Sequence, residues 1–309
     1  MDAILDQARV VHSDSGDRLR WLAWPEQWVR HRAAIVRRRR EIARAVAEGI
    51  EPVFVFCHPR VSSTALHNAI NRIDGLRAVH IHVISEAHSR WRYGQPIVAE
   101  DGVACFGVAP ALAAREHMAR ASRTRFVTAI RDPVAVNISF FLYWGPTHLV
   151  RGQWSQVRDM SDRELGDLYL ARCPHHSSVE WFEREFMPAL SIEGPMDAGL
   201  GFDPARGYCT IRTPRSAALI VRSDLADESK RVALGEFLGC EAAPIERAND
   251  SASLVSRALH ERLKRVVARL PGYADRLLET RFARTFWSDA ERAGLRDDWA
   301  RIADSASTT

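Results

Sequence analysis

Pro52-Val53-Phe54-Val55-Phe56-Cys57-His58-Pro59-Arg60-Val61-Ser62-Ser63-Thr64-Ala65-Leu66 is the stretch that decides how this chain folds. From Pro52 to Cys57 every position is apolar, as expected of a central parallel strand covered on both faces. A polar turn follows, and a helix is expected from Ser63 to Arg72. A strand that feeds a helix through such a turn makes an anion site. The first helical turn leaves backbone N–H groups unpaired and aimed outward.

The same pattern recurs about 70 residues later. Arg125-Phe126-Val127-Thr128-Ala129-Ile130 reads as another strand. Arg131-Asp132-Pro133-Val134-Ala135-Val136-Asn137-Ile138-Ser139 reads as its turn and helix, with Asp132 as the cap and Pro133 in the first helical position. Two such corners on neighbouring strands suit a ligand with two separated anionic groups, such as a nucleotide carrying phosphate at both ends.

Around these corners, Arg77 to Ile84 reads as a strand and Ala109 to Ala121 as a helix. Helices are expected over Asp162–Ala171, Val179–Leu190 and Glu228–Leu238, with a strand at Ala217–Arg222. The C-terminal part is helical, with Val255, Leu259, Leu263, Val266 and Leu270 on one face and an aromatic group of Phe282, Phe286, Trp287 and Trp299. Strands alternating with helices imply an α/β fold with a central parallel sheet and right-handed crossovers. One domain is expected over 50–304, preceded by a helical extension over 1–49. In that extension Pro25 starts a helix whose apolar stripe is Trp28, Ile35, Ile42 and Val46, flanked by Val29, Val36 and Ala43. Arg37 to Arg40 on it read as a solvated face, or alternatively as a basic surface for a polyanionic acceptor or for peripheral contact with anionic lipid, or as a nucleic-acid patch.

Composition narrows the chemistry. The net charge of +4 is too small to argue for nucleic acid as a partner. All but two of the 43 basic residues are Arg, the lysines being Lys230 and Lys264. A mechanism needing a lysine at either corner is thereby excluded. There is also no glycine from Glu51 to Asp74, so the first turn is not a Walker A loop. The cysteines (Cys57, Cys105, Cys173, Cys209, Cys240) are scattered, without a C-x-x-C pair, and fit buried thiols of a reducing compartment. No signal-peptide pattern appears, and no apolar run reaches the roughly 18–20 residues of a membrane span. A cytoplasmic protein without transmembrane segment is expected.

Pro59-Arg60-Val61-Ser62-Ser63-Thr64 resembles the 5′-phosphosulfate loop of PAPS-dependent sulfotransferases, in which Pro-Lys or Pro-Arg precedes a Ser-Gly-Thr-Thr-like run. Arg131-Asp132-Pro133 with Ser139, eight residues after the Arg, resembles that family's 3′-phosphate motif. The likeness extends loosely over residues 50–300, toward bacterial sulfotransferase-like capsular polysaccharide synthesis proteins. It runs through Trp181-Phe182-Glu183-Arg184-Glu185, Phe202-Asp203 with Gly207-Tyr208, Arg222-Ser223-Asp224-Leu225, and Phe286-Trp287 with Glu291 and Trp299.

The resemblance implies a P-loop-like three-layer fold and the co-substrate PAPS (3′-phosphoadenosine-5′-phosphosulfate), released as PAP. It implies Arg60, Val61, Ser62, Ser63 and Thr64 around the phosphosulfate, and Arg131 and Ser139 around the 3′-phosphate. A carbohydrate or other small hydroxyl compound would be the acceptor, with no metal. One departure is Ser62, which stands where the family carries glycine; a positive φ there would strain the loop by roughly 1 kcal/mol or more.

The acceptor hydroxyl needs a base, and an imidazole suits neutral pH. His80-Ile81-His82 puts two imidazoles on one face of a strand, and resembles the pair found in heparan and uronyl 2-O-sulfotransferases. His82 is the expected catalytic base, with His80 as neighbour or substitute and Arg60 stabilising the transferred group. Glu86 is a second candidate base. His58 either reaches the sulfate or ends the strand, and His175-His176 read as loop histidines rather than metal ligands. Two other readings stay open: a nucleotide-binding scaffold of the same fold without activity, and a P-loop kinase.

Overall fold

The computed structural model describes residues 25–85, 109–144, 154–194, 196, 200–246 and 257–305. Five strands, β1 (Glu51–Phe56), β2 (Leu76–Ile81), β3 (Thr124–Ile130), β4 (Tyr208–Arg212) and β5 (Ser216–Arg222), form one sheet in the order β2-β1-β3-β5-β4. β2, β1, β3 and β5 run parallel, and β4 is antiparallel to β5. The α/β reading with a mostly parallel central sheet therefore holds.

The helices are α1 (Pro25–Ala47), α2 (Ser63–Ile70), α3 (Ala109–Arg120), α4 (Pro133–Trp144), α5 (Trp154–Asp159), α6 (Asp162–Arg172), α7 (Ser177–Trp181), α8 (Asp227–Leu238), α9 (Arg257–Ala268), α10 (Tyr273–Leu278), α11 (Arg281–Phe286) and α12 (Asp289–Asp304). α7 continues through a π-helical turn, Phe182–Phe186, to Ala189.

Both faces of the sheet are covered, which is why its central strands are apolar without alternation. On one face Val53, Val55, Val127 and Leu219 pack with Leu66, Ile70, Leu234 and Phe237 of α2 and α8. On the other, Phe54, Phe56, Phe126 and Ile220 pack with Trp181, Phe182, Phe186 and the α11 aromatics. A separate helical core joins α4, α6, α9, α10 and α12 through Phe141, Tyr169, Leu263, Tyr273 and Trp299. Arg222 ties the C-terminal helices to the end of β5. Its nearly buried guanidinium donates to Asp224 (3.0 and 2.7 Å) and to Glu291 (2.6 Å), 5.4 Å from the Trp287 ring.

Three expectations need correcting. β4 does not emerge from the pattern of the sequence, because it is a short half-exposed edge strand whose Tyr-Cys-Thr-Ile-Arg shows no apolar run. β2 stops at Ile81 rather than Ile84, because its partner β1 ends opposite at Phe56. On the α1 stripe Ile42 is buried as expected, but Val46 faces outward together with the flanking Val36 and Ala43, and Ala45 is buried in its place. α1 lies against α3 and β1. The side chains of Trp28, Val29 and Ile35, and residues Glu86, Cys105 and Val255, lie outside the described residues. Arg37, Arg39 and Arg44 are exposed and paired with Glu41 (3.8 Å), Glu116 (2.6 Å) and Glu48 (2.7 Å), which fits a solvated face. The cysteines divide: Cys57 and Cys173 are buried, Cys209 is half-buried and Cys240 is exposed. Among the described residues no helix is long and apolar enough to cross a membrane.

β2 lies on one side of β1 and β3 on the other, so the strand order reverses between β1 and β3. In open α/β sheets, ligands bind in the crevice outside the strand carboxyl ends at such a reversal. The two corners read from the sequence as anion sites lie at this end of the sheet, after β1 and after β3.

Candidate functional site

The first corner is built from Cys57 to Ser63. Cys57 continues β1, its N–H donating to the Ile81 carbonyl at 3.2 Å. Its thiol is buried, and that burial pushes its pKa up to about 12. His58 is buried as well. Its Nδ1 lies 2.8 Å from the Pro59 carbonyl and must donate there, so in the neutral ring Nε2 accepts from the Ser177 hydroxyl at 2.9 Å. These two bonds fix the turn after β1 against α7.

Arg60 and Ser62 both adopt the left-handed backbone region, at φ 74° and 71°. Such a conformation costs a non-glycine residue roughly 1–2 kcal/mol. The strain foreseen for Ser62 is therefore present, and Arg60 adds a second instance. Ser62 is exposed, and its side chain makes no capping bond to α2. Ser62→Gly is expected to stabilise the fold by about 0.5–1 kcal/mol, relief of the strain exceeding the added chain entropy of glycine; thermal or urea melts read this directly. Val61 and Ser63 are buried, so Val61 can offer a ligand only its main chain. Thr64 is half-buried in the first turn of α2.

The second corner follows β3. Asp132 caps α4, accepting the Val134 amide at 2.9 Å, and its other oxygen accepts from Trp299 Nε1 of α12 at 3.1 Å. Burial raises its pKa to about 6 against the pull of these donors and of Arg131. Two helical turns on, the buried Ser139 Oγ accepts from Arg60 Nε at 3.0 Å. Arg131 in turn donates Nη1 to the Arg60 carbonyl at 3.2 Å. One turn beyond Ser139, the Tyr143 ring lies 4.8 Å from the Arg60 guanidinium carbon. Burial lowers the Arg60 pKa, Tyr143 opposes that shift, and the nearby Arg131 charge adds to it. The structure thus brings together Arg60, Arg131 and Ser139, which sequence order separates by up to 79 positions.

The two histidines stand beside the first corner. His82 follows β2, with Nδ1 2.7 Å from the Cys57 carbonyl. That bond requires Nδ1–H, so the neutral ring carries its lone pair on Nε2. Burial holds the His82 pKa below the usual histidine value, the Cys57 bond opposing it. The His80 ring packs edge-on against it at 4.5 Å between centroids, and the His67 ring of α2 lies 5.9 Å from His80. His82 and Arg131 are thereby both tied to carbonyls of the segment 57–60.

His175 and the two lysines have partners of their own. His175 is buried between the Tyr273 hydroxyl (2.7 Å) and the Leu170 carbonyl (3.0 Å), in the helical core. Lys230 pairs with Asp227 at 2.6 Å on α8, and Lys264 lies on α9 near Glu261. Glu86 lies outside the described residues. Reading the sequence missed Tyr143, whose spacing of four residues from Ser139 was the available signal. It also missed the contacts of Trp181 and Trp299, since an indole that tethers a distant loop leaves no periodic trace.

No family model matches this chain, and no curated protein or solved structure is significantly similar to it.

Proposed function

We propose that this chain is a PAPS-dependent sulfotransferase on a P-loop-like sheet, transferring the sulfuryl group to a hydroxyl of a saccharide or another small acceptor. The observation that carries the reading is the meeting of Arg60, Arg131 and Ser139 at the strand-order reversal. A guanidinium binds phosphate and sulfate oxygens through paired donors. Arg60, Ser63 and Thr64, with the main chain of Val61 and Ser62, would hold the 5′-phosphosulfate. Arg131 and Ser139 would hold the 3′-phosphate.

In the transfer, the acceptor oxygen forms a bond to sulfur as the bond from sulfur to the bridging phosphate oxygen breaks. The products are the sulfated acceptor and PAP. His82 Nε2 takes the hydroxyl proton, with His80 as its neighbour or substitute. As in phosphoryl transfer, catalysis rests on positioning and on neutralising charge around the transferred group.

Radiolabelled PAPS offered with a pool of hydroxyl acceptors tests the reading. Labelled sulfate should pass to one acceptor class and PAP should appear in equal amount. PAP binding without any transfer would favour the inactive scaffold. Arg131→Ala is expected to weaken PAP binding about 10²-fold, since two charge-assisted bonds contribute roughly 3 kcal/mol. Calorimetry with PAP measures this, and unchanged affinity in a normally melting variant would remove Arg131 from the site.

A further inference from the structure

Residues 82–85 leave the sheet where β1 ends, and among the described residues no strand pairs with their backbone. A single helical segment holds them instead. Trp181, the last residue of α7, donates Nε1–H to the His82 carbonyl at 2.6 Å. Glu185, four residues on, accepts the amides of Ile84 and Ser85, the latter at 2.7 Å, on one carboxylate oxygen. Its other oxygen accepts the Ser85 hydroxyl at 2.6 Å. Glu185 is fully buried. A carboxylate is costly to bury without donors, and main-chain amides of the segment carrying His82 supply them, with the Arg115 charge adding a weaker attraction.

The helix is shaped for this by its sequence. Pro188 lacks an N–H, and its ring crowds the carbonyl four residues earlier. The preceding turn is widened to π form, with the Met187 amide reaching back to the Phe182 carbonyl. Such turns inside helices concentrate at functional sites. Trp181 is also wedged edge-on against Phe56 of β1 at 5.0 Å and packs on Phe186, so the donor is itself fixed.

We infer that Trp181 and Glu185 form a clamp that positions His82, setting both the carbonyl contact of its Nδ1 and the aim of its Nε2. They are positioning residues, acting through His82. Its role as base rests on the sulfotransferase reading, but the clamp itself is a statement about the conformation of residues 82–85.

The experiment uses the full chain with 15N-labelled histidine. In the wild type, His82 should show a single Nδ1–H tautomer whose proton exchanges slowly with water. Glu185→Ala should give a mixture of tautomers and faster exchange. Glu185→Gln keeps an oxygen for the two amides and should restore most of the wild-type signature. Trp181→Phe and Ser85→Ala each remove one hydrogen bond while keeping most of the side chain, and should shift the spectrum the same way to a smaller degree.

PAP affinity should stay unchanged throughout. In Glu185→Ala kcat should fall about 10–100-fold, the loss typical when an outer partner that orients an imidazole is removed. An unaltered His82 spectrum in folded Glu185→Ala and Trp181→Phe proteins overturns the clamp. If Glu185→Ala does not fold, Trp181→Phe and Ser85→Ala decide by the same spectra. Failure of the wild type to bind PAP would sink the sulfotransferase reading, while the tautomer spectra would still judge the clamp.

Discussion

Replacing His82 by alanine is expected to slow sulfuryl transfer by about 10²–10⁴-fold, the contribution of a positioned general base. Affinity for PAP should not change, because His82 touches the first corner through the Cys57 carbonyl rather than through the anion-binding side chains. The pH dependence makes the assignment sharper. Burial places the His82 pKa below the ordinary 6.5, so Nε2 is free at neutral pH. As pH falls through that lowered value, Nε2 takes up a proton and the rate should drop. The acid limb of the wild-type profile should therefore lie below pH 6.5, and it should vanish in His82→Ala. If His80→Ala lost the rate and the acid limb while His82→Ala kept both, the neighbouring ring would be the base.

Arg60→Ala is expected to lower the transfer rate about 10²–10³-fold, as when one preorganised donor to developing charge is removed. Arg60 enters the site from a strained backbone and is steadied by Ser139 Oγ and by the Tyr143 ring. Arg60→Lys keeps the charge but not the planar fork that bonds oxyanions in pairs, and should recover only part of the rate. Single-turnover transfer from labelled PAPS, with PAP affinity measured alongside, separates loss of rate from loss of binding. A rate surviving in Arg60→Ala would mean that the helix-start amides carry the transferred group without it.

The parts of this fold that the sequence disclosed are those where one physical cause dominates. Central strands covered on both faces must be apolar, so Val53–Cys57, Phe126–Ile130 and Ala217–Val221 announce themselves. Corners that start helices are polar, so Ser62-Ser63 and the capping Asp132 with Pro133 do too. Where two causes compete, the signal is lost. Tyr208–Arg212 pairs with β5 at the edge of the sheet and stays half-exposed, so its strand-forming Tyr, Thr and Ile are too few to make an apolar run. On α1 a heptad-like stripe ending at Val46 overlooks the small Ala45, which is buried beside Ile42 while Val46 is exposed.

The site was legible as residue types and only partly as contacts. Two anion corners could be named from sequence, as could their order along the chain. That Arg60 reaches across to Ser139, and that Arg131 reaches back to the Arg60 carbonyl, depends on the backbone turning left-handed at Arg60. For Ser62 the glycine of the resembling family signals such a conformation, whereas nothing in the sequence signals it at Arg60, since arginine samples it rarely. The supports from Trp181, Glu185 and Trp299 span about 100 residues or more, a range over which composition and periodicity carry no information.

The two corners sit on strands bonded directly to each other, Val55 opposite Val127. Main-chain hydrogen bonding fixes such strands about 4.8 Å apart, so the separation of the corners is graduated by the backbone itself. On the proposed reading, a donor with two anionic ends would be measured against that strand spacing, with the side chains at positions 60 and 131 adjusting the fit. Compounds with one anionic end would touch a single mark on that scale.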